Sequence, residues 1–243
     1  MRSSGKQLKQ PFEHSKLSLT TEQQEAIKSF NITINDSFDN NGELENLLHL
    51  VDKFISRLGN NDPGPCLILA NVIVDFVMKS LNEFAAETAI LLIRTTNQSH
   101  HLFDMPRWHI DGDYFPSSSH QKQKAVCTLI GPGTLFYNIT PAERSAFNLI
   151  PKSSGAAARE ASNELLCDVT KRESTPELHA SYFIAGDPDS GAVHSEPKMT
   201  GPRLFFSVLP GTQSQIKEYI NKQEGLRKQL EEDTRTGKIK PIF

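Results

Sequence analysis

The sequence predicts an α+β protein in which helices occupy the first half of the chain and short strands the second half. Apolar residues recur at helical spacing over residues 43–58, and the apolar run 66–84 is long enough for a second, buried helix. After residue 87 the pattern changes to short β-type runs at close spacing, which is typical of a sandwich or a barrel. We therefore expect a sandwich or barrel with one face braced by the amino-terminal helices.

The start of the helical half has a clear capping signal. Thr20 is followed three residues later by Gln23, a capping-box pattern that predicts a short helix ending near Phe30. The polar run 31–41 predicts a loop before the helix at 43–58.

The second half alternates strand signals with turn signals. The predicted strands lie, in chain order, at 89–95, 107–115, 125–130, 134–139, 181–185, 192–195 and 203–209. Gly131-Pro132-Gly133 separates the third strand from the fourth and predicts a hairpin turn. The Ala-rich segment 155–167 predicts a helix between strands, and a charged, weakly amphipathic helix is predicted from Thr212 to about residue 233.

Composition and pattern divide the chain into four parts. Residues 1–19 are basic and polar and are expected to be disordered, and residues 20–87 form a helical support region. Residues 88–211 are expected to form the β core, and residues 212–243 a carboxy-terminal helix and tail.

Charge and cysteine content exclude several classes of protein. The formal net charge of -3 provides no basic surface for nucleic acid or anionic membrane. The 3 cysteines are far apart and form no CxxC pair, so neither a disulfide framework nor a cysteine zinc cluster is expected. The first 18 residues lack an apolar signal core, and the most apolar stretch, 67–78, is too short to span a bilayer. We expect a cytoplasmic protein.

Two histidines and an aspartate form a candidate metal site. His109 and Asp111 lie two residues apart in a strand-like run, so their side chains share a face while Trp108 and Ile110 take the opposite one. A second strand-like run contributes His194. Two imidazoles and one carboxylate make a three-point anchor with open positions opposite, the set that ferrous oxygenases use. A structural zinc site would need four closed ligands.

Other residues compete for these roles. Asp113 could replace Asp111 by a two-residue shift, although the nearer spacing is preferred. His194 and Glu196 are also a His-x-acid pair, but no histidine follows them to complete the set. Without any metal, His109 would be a histidine at the barrel mouth that is hydrogen-bonded to a neighbouring acid.

Arg203 is a cation in an apolar setting. It opens the apolar strand 203–209, where it shares a face with Phe205 and Ser207. A guanidinium that faces an apolar interior is costly unless an anion meets it. Either a carboxylate of the protein or a carboxylate of a ligand is therefore its partner.

The order His109-x-Asp111, His194, Arg203 over closely spaced strands resembles the iron(II)/2-oxoglutarate-dependent dioxygenase superfamily. The resemblance covers roughly residues 89–210. It implies a double-stranded β-helix core (jelly-roll, cupin-like) with supporting amino-terminal helices and a carboxy-terminal helix. It also implies an oxygenase that uses Fe(II), O2 and the co-substrate 2-oxoglutarate. Such an enzyme hydroxylates a second substrate, or demethylates it through hydroxylation, and releases succinate and CO2.

The resemblance also implies roles for individual residues. His109, Asp111 and His194 would bind Fe(II), and Arg203 would pair with the distal carboxylate of 2-oxoglutarate. Several families have a hydroxyl residue two positions after this arginine, where this chain has a phenylalanine. The further candidates for co-substrate contact are Ser207, Thr128 and Tyr137.

Two other functions remain open at this point. One is a catalytically inactive β-helix binding module whose amino-terminal helices form a partner surface. The other is a cupin-like metalloenzyme that does not use 2-oxoglutarate, for which Arg203 would have no role. A small molecule or a peptide fits as substrate, and the oligomeric state is undecided.

Overall fold

The computed structural model describes residues 5–99, 101, 104–116, 122–151 and 155–236. The strands are β1 (Phe12–Lys16), β2 (Asp36–Asn41), β3 (Thr88–Thr96), β4 (Lys122–Ile130), β5 (Leu135–Tyr137), β6 (Arg172–Ser174), β7 (His179–Ala185), β8 (Val193–Ser195) and β9 (Arg203–Gly211). The helices are α1 (Thr21–Ser29), α2 (Leu47–Ser56), α3 (Pro63–Glu83), α4 (Pro141–Leu149), α5 (Ala156–Leu165) and α6 (Gln213–Arg235).

The strands form two antiparallel sheets, and their order defines the fold. The larger sheet has the order β1-β7-β4-β9-β3-β2 and the smaller sheet the order β6-β5-β8. A backbone bridge between His109 and His194 extends the smaller sheet beyond β8. From β3 to β9 the chain crosses repeatedly between the two sheets, with β5 and β6 both in the smaller one. This is a double-stranded β-helix, and the predicted α+β class is confirmed.

Helices α1, α2 and α3 pack with the outer face of the larger sheet in one hydrophobic core. In its centre, Phe76 of α3 meets Phe206 of β9 edge-on, with 5.2 Å between ring centroids, and Tyr182 of β7 at 6.1 Å. Among the described residues, α3 alone has the length and apolar composition to cross a membrane. Here it buries side chains such as Leu69 and Ile73 in the core.

Several helices follow their sequence signals closely. Thr20 and Thr212 cap α1 and α6 in reciprocal capping boxes with Gln23 and Gln215. Helix α5 occupies the Ala-rich segment, and α3 the apolar run. Helix α2 begins later than expected, because Asn46 just before it has a left-handed backbone with φ 61.

Two strands of the larger sheet lie where we expected none. Residues 12–16, predicted to be disordered, form β1, and residues 36–41, predicted to be a loop, contain β2. Both are edge strands of the larger sheet. Edge strands are stabilised by backbone pairing on one side and do not need an alternating apolar pattern. Phe12 and Phe38 are the only large apolar side chains in these two strands.

The predicted hairpin at residues 131–133 is wrong, because β4 and β5 belong to different sheets. The turn instead carries the chain from the larger sheet to the smaller one. Gly131 has a φ of +85, and a Cβ there would lie 2.4 Å from the carbonyl oxygen of Pro202.

The predicted strand 107–115 is also reduced to the single bridge at His109. Helix α4 and strand β6 were not predicted.

Candidate metal centre

The backbone bridge between His109 and His194 brings the three predicted ligand residues together. Asp111 Oδ1 lies 3.7 Å from His109 Nε2 and 3.5 Å from His194 Nε2. One ligand atom from each residue can be chosen so that all three lie within 4.8 Å of one another. The side chains of Asp111 and His194 are 9% and 8% exposed, whereas that of His109 is 33% exposed. The cluster is therefore enclosed by protein and is most accessible at His109.

Both histidines are held in the tautomer that a metal needs. Nδ1 of His109 donates to the carbonyl of Arg107 at 2.8 Å, and Nδ1 of His194 donates to the carbonyl of Ala192 at 3.1 Å. A carbonyl only accepts, so each Nδ1 carries the proton and each Nε2 lone pair faces the cluster. This donor set fits a divalent transition-metal ion that keeps open coordination positions.

The electrostatic surroundings of the cluster favour the protonation states that bind metal. Burial, aided by neighbouring His194, lowers the pKa of His109 from 6.5 to about 4, so its ring is neutral at neutral pH. Burial alone would raise the pKa of the Asp111 carboxyl, but the Lys124 ammonium holds it well below its usual value. Asp111 is thus a carboxylate and His109 a neutral imidazole, the forms in which they bind metal.

The second oxygen of Asp111 has a different partner. Lys124 Nζ donates to Asp111 Oδ2 at 3.0 Å and to the Tyr114 hydroxyl at 3.2 Å. Neither residue was predicted. The available signal was the strand pattern, because Lys124 lies on the inward face of β4 together with Val126 and Thr128.

As predicted, Trp108 and Ile110 take the face opposite His109 and Asp111. Trp108 packs on the opposite face of the smaller sheet, where Tyr137, Leu166 and Val193 are also buried, and Ile110 packs against this cluster. The competing acids are engaged by other partners. Asp113 is paired with Lys122 at 3.0 Å, and Glu196 is paired with Arg107.

Arg203 is buried at the start of β9 and is 6% exposed. Its Nε donates to the carbonyl of Pro132 at 2.9 Å, its Nη2 donates to the Thr128 hydroxyl at 3.3 Å, and its guanidinium lies 4.5 Å from the centre of the Phe205 ring. Within the described ranges, no carboxylate forms an ion pair with it. Burial lowers the pKa of Arg203 to about 10, with Glu196 acting in the opposite direction.

The other three predicted co-substrate residues have different surroundings. Thr128 contacts Arg203 directly. Ser207 is also on the inward face of β9, but four residues along the strand, roughly 13 Å from Arg203. Tyr137 lies on the outer face of the smaller sheet, where its hydroxyl donates to Glu143 at 3.4 Å. The expectation for Tyr137 is wrong, because the crossing at residues 131–133 places Phe136 on the inner face of β5 and Tyr137 on the outer face.

A cavity of about 480 Å³ is lined in part by Lys124, the residue that donates to Asp111. Its walls are the inner face of the larger sheet and one side of α6, together with Tyr114. Its lining includes hydroxyl, amide and charged groups beside aliphatic ones, among them Asn41, Arg94, Ser207, Leu209, Tyr219 and Gln223.

Fold and site together define a double-stranded β-helix protein with a His-Asp-His facial group. In both respects the chain resembles the iron(II)/2-oxoglutarate-dependent dioxygenases.

No family model matches the sequence, and no curated protein matches it either. Solved structures do match. A Pseudomonas putida prolyl-4-hydroxylase matches with 11% identity and a TM-score of 0.40, over 84% of this chain and 94% of that one. HygX from Streptomyces hygroscopicus, with nickel and 2-oxoglutarate bound, matches with 8% identity and a TM-score of 0.41, over 84% and 83%. The Kdo hydroxylase KdoO, in complex with succinate and Fe(III), matches with 12% identity and a TM-score of 0.39, over 84% and 79%. The strand order of this chain defines its fold.

Proposed function

We propose that this protein is an iron(II)- and 2-oxoglutarate-dependent oxygenase that hydroxylates a second substrate, or demethylates it through hydroxylation. The observation that carries the proposal is the convergence of His109 Nε2, His194 Nε2 and Asp111 Oδ1, with both Nδ1 atoms engaged by backbone carbonyls. A ferrous ion in this site would supply oxygen activation coupled to decarboxylation of 2-oxoglutarate, with succinate and CO2 as products.

Arg203 supports 2-oxoglutarate as the co-substrate. It is a buried cation whose hydrogen bonds within the described residues go to neutral acceptors, so a ligand carboxylate can meet its charge. The Thr128 hydroxyl accepts from Arg203 and can donate its own proton to the same carboxylate. A fork of guanidinium donors together with one hydroxyl suits the planar distal carboxylate of 2-oxoglutarate.

Aromatic rings isolate the inner side of the site. Phe183 lies 4.7 Å from the His194 ring and Phe136 lies 5.9 Å from it, measured between centroids. Phe12 stacks on Phe136 at 4.6 Å. These rings would keep water away from the reacting groups on that side.

We place the substrate in the cavity of about 480 Å³ beside Lys124. Its size and mixed polar lining support a small polar molecule or a single side chain of a peptide.

Two measurements on one preparation test this proposal. Anaerobic protein loaded with Fe(II) is titrated with 2-oxoglutarate, and we expect a visible metal-to-ligand charge-transfer band that saturates. On exposure to air the same sample should release succinate, and His194→Ala should abolish both signals. A correctly folded wild-type chain that shows neither the band nor succinate would refute the proposal.

A further inference from the structure

Lys124 is a buried cation directly beside the proposed metal centre. It lies on β4 opposite Phe183 of β7, and its side chain is only 16% exposed. A buried ammonium destabilises a protein unless it has hydrogen-bonding partners that compensate its lost hydration. The contacts of Lys124 therefore indicate what this residue does.

Those contacts fix the ammonium group from several sides. Nζ donates to Asp111 Oδ2 at 3.0 Å and to the Tyr114 hydroxyl at 3.2 Å. The same nitrogen lies 5.4 Å from the centre of the Tyr114 ring and 5.9 Å from that of Phe183. Tyr114 thus holds Lys124 through its hydroxyl, and Lys124 in turn holds Asp111.

The two carboxylate oxygens of Asp111 have different partners. Oδ1 faces the Nε2 atoms of His109 and His194 at 3.7 and 3.5 Å, whereas Oδ2 accepts from Lys124. A carboxylate with both oxygens free can bind an ion through one or both of them. Here one oxygen is already engaged by the protein.

We propose that Lys124, supported by Tyr114, is a positioning residue that holds the Asp111 carboxylate so that Oδ1 alone binds the metal. The inference rests on the proposed metal centre. Single-oxygen binding would leave one more position on the ion for the co-substrate and dioxygen. Partners of this kind typically change metal affinity 10- to 100-fold.

The opposite role for Lys124 would be one in which its charge replaces that of the ion and excludes metal. The two roles predict opposite effects of removing the charge. Geometry favours positioning, because Lys124 engages Oδ2 and leaves Oδ1 to the histidines. Exclusion would require the ammonium to contact the oxygen that faces the two rings.

The test is calorimetric titration of the full-length protein with Mn(II), which is stable to air, in the wild type and three variants. Lys124→Met should weaken binding about 10- to 100-fold. Lys124→Gln should lose less, because it keeps a donor but no charge. Lys122→Met is the matched control, since Lys122 lies on the same strand, has the same 16% exposure and pairs with Asp113 at 3.0 Å. Its Mn(II) affinity should equal that of the wild type.

A second readout separates positioning from a general loss of stability. The visible spectrum of the Co(II)-loaded protein depends on coordination number, so it should change in Lys124→Met when Oδ2 becomes free to bind. It should stay unchanged in Lys122→Met. If Lys124→Met does not fold, Lys124→Gln and Tyr114→Phe carry the test, each with weakened Mn(II) binding.

The outcomes distinguish the inference from the function on which it rests. A wild type that binds no Mn(II) refutes the proposed function. A wild type that binds Mn(II), with Lys124 variants that bind it equally well or more tightly, overturns the positioning role and leaves the metal centre in place.

Discussion

Truncation of Arg203 tests whether this buried cation binds the co-substrate or serves only the fold. A charge-assisted hydrogen-bonded pair contributes about 1.5–3 kcal/mol. Since about 1.4 kcal/mol corresponds to a factor of ten, Arg203→Ala should raise the dissociation constant of 2-oxoglutarate about 10- to 100-fold. Arg203→Lys should recover part of this loss, because it keeps the charge but not the fork. Metal affinity should change little, because the contacts of Arg203 are with Pro132, Thr128 and Phe205.

The assay is a titration of 2-oxoglutarate into anaerobic, Fe(II)-loaded protein, followed by the charge-transfer band beside a thermal melt. Arg172 provides a matched control: it donates to the carbonyl of Leu166 at 3.0 Å and lies 5.6 Å from the Trp108 ring, on the outer face of the smaller sheet. Arg172→Ala should lower the melting temperature and leave the titration unchanged. If Arg203→Ala behaves in the same way, Arg203 has a structural role and the reasoning is wrong.

Three further predictions concern the ligands, the pH dependence and Tyr137. His109→Ala and His194→Ala should each lower Mn(II) affinity at least tenfold, about 1.4 kcal/mol, in calorimetry, and wild-type affinity in both would contradict the ligand assignment. Because the pKa of His109 is lowered from 6.5 to about 4, the unfolded chain binds more protons between these values. Above pH 6.5 the protonation of His109 should therefore not affect the free energy of unfolding of the metal-free protein. As the pH falls from 6.5 towards 4, this free energy should decrease. Melts of the wild type and His109→Ala across this range should show a smaller pH slope in the variant, and equal slopes would contradict the shift. Tyr137→Phe should change the 2-oxoglutarate dissociation constant less than twofold, and a change as large as that of Arg203→Ala would place Tyr137 at the co-substrate.

The metal centre could be predicted because most of its information is local in the sequence. Strand alternation over two residues places His109 and Asp111 on one face, and His194 stands in its own short apolar run. Arg203 was recognisable as a charge in an apolar strand. Lys124 is likewise a charged residue in an apolar strand. Its contact with Asp111, however, depends on how β4 of the larger sheet faces residue 111, which lies beside the smaller sheet. That relation is not encoded in any short segment.

The errors in the fold prediction have a similar origin. The Gly-Pro-Gly turn is compatible with a hairpin and with a crossing between sheets, and only the pairing of β5 with β6 and β8 decides between them. This one choice determines which face of the smaller sheet Tyr137 occupies. The edge strands β1 and β2 were missed because backbone pairing stabilises them with few apolar side chains.

The most direct test of the central claim is a crystal structure of the protein with Mn(II) and 2-oxoglutarate, with data collected at the manganese absorption edge. We predict one anomalous peak bound by His109 Nε2, His194 Nε2 and Asp111 Oδ1. We also predict that the distal carboxylate of 2-oxoglutarate lies against Arg203 and Thr128. A metal bound elsewhere, or 2-oxoglutarate without contact to Arg203, would contradict the account.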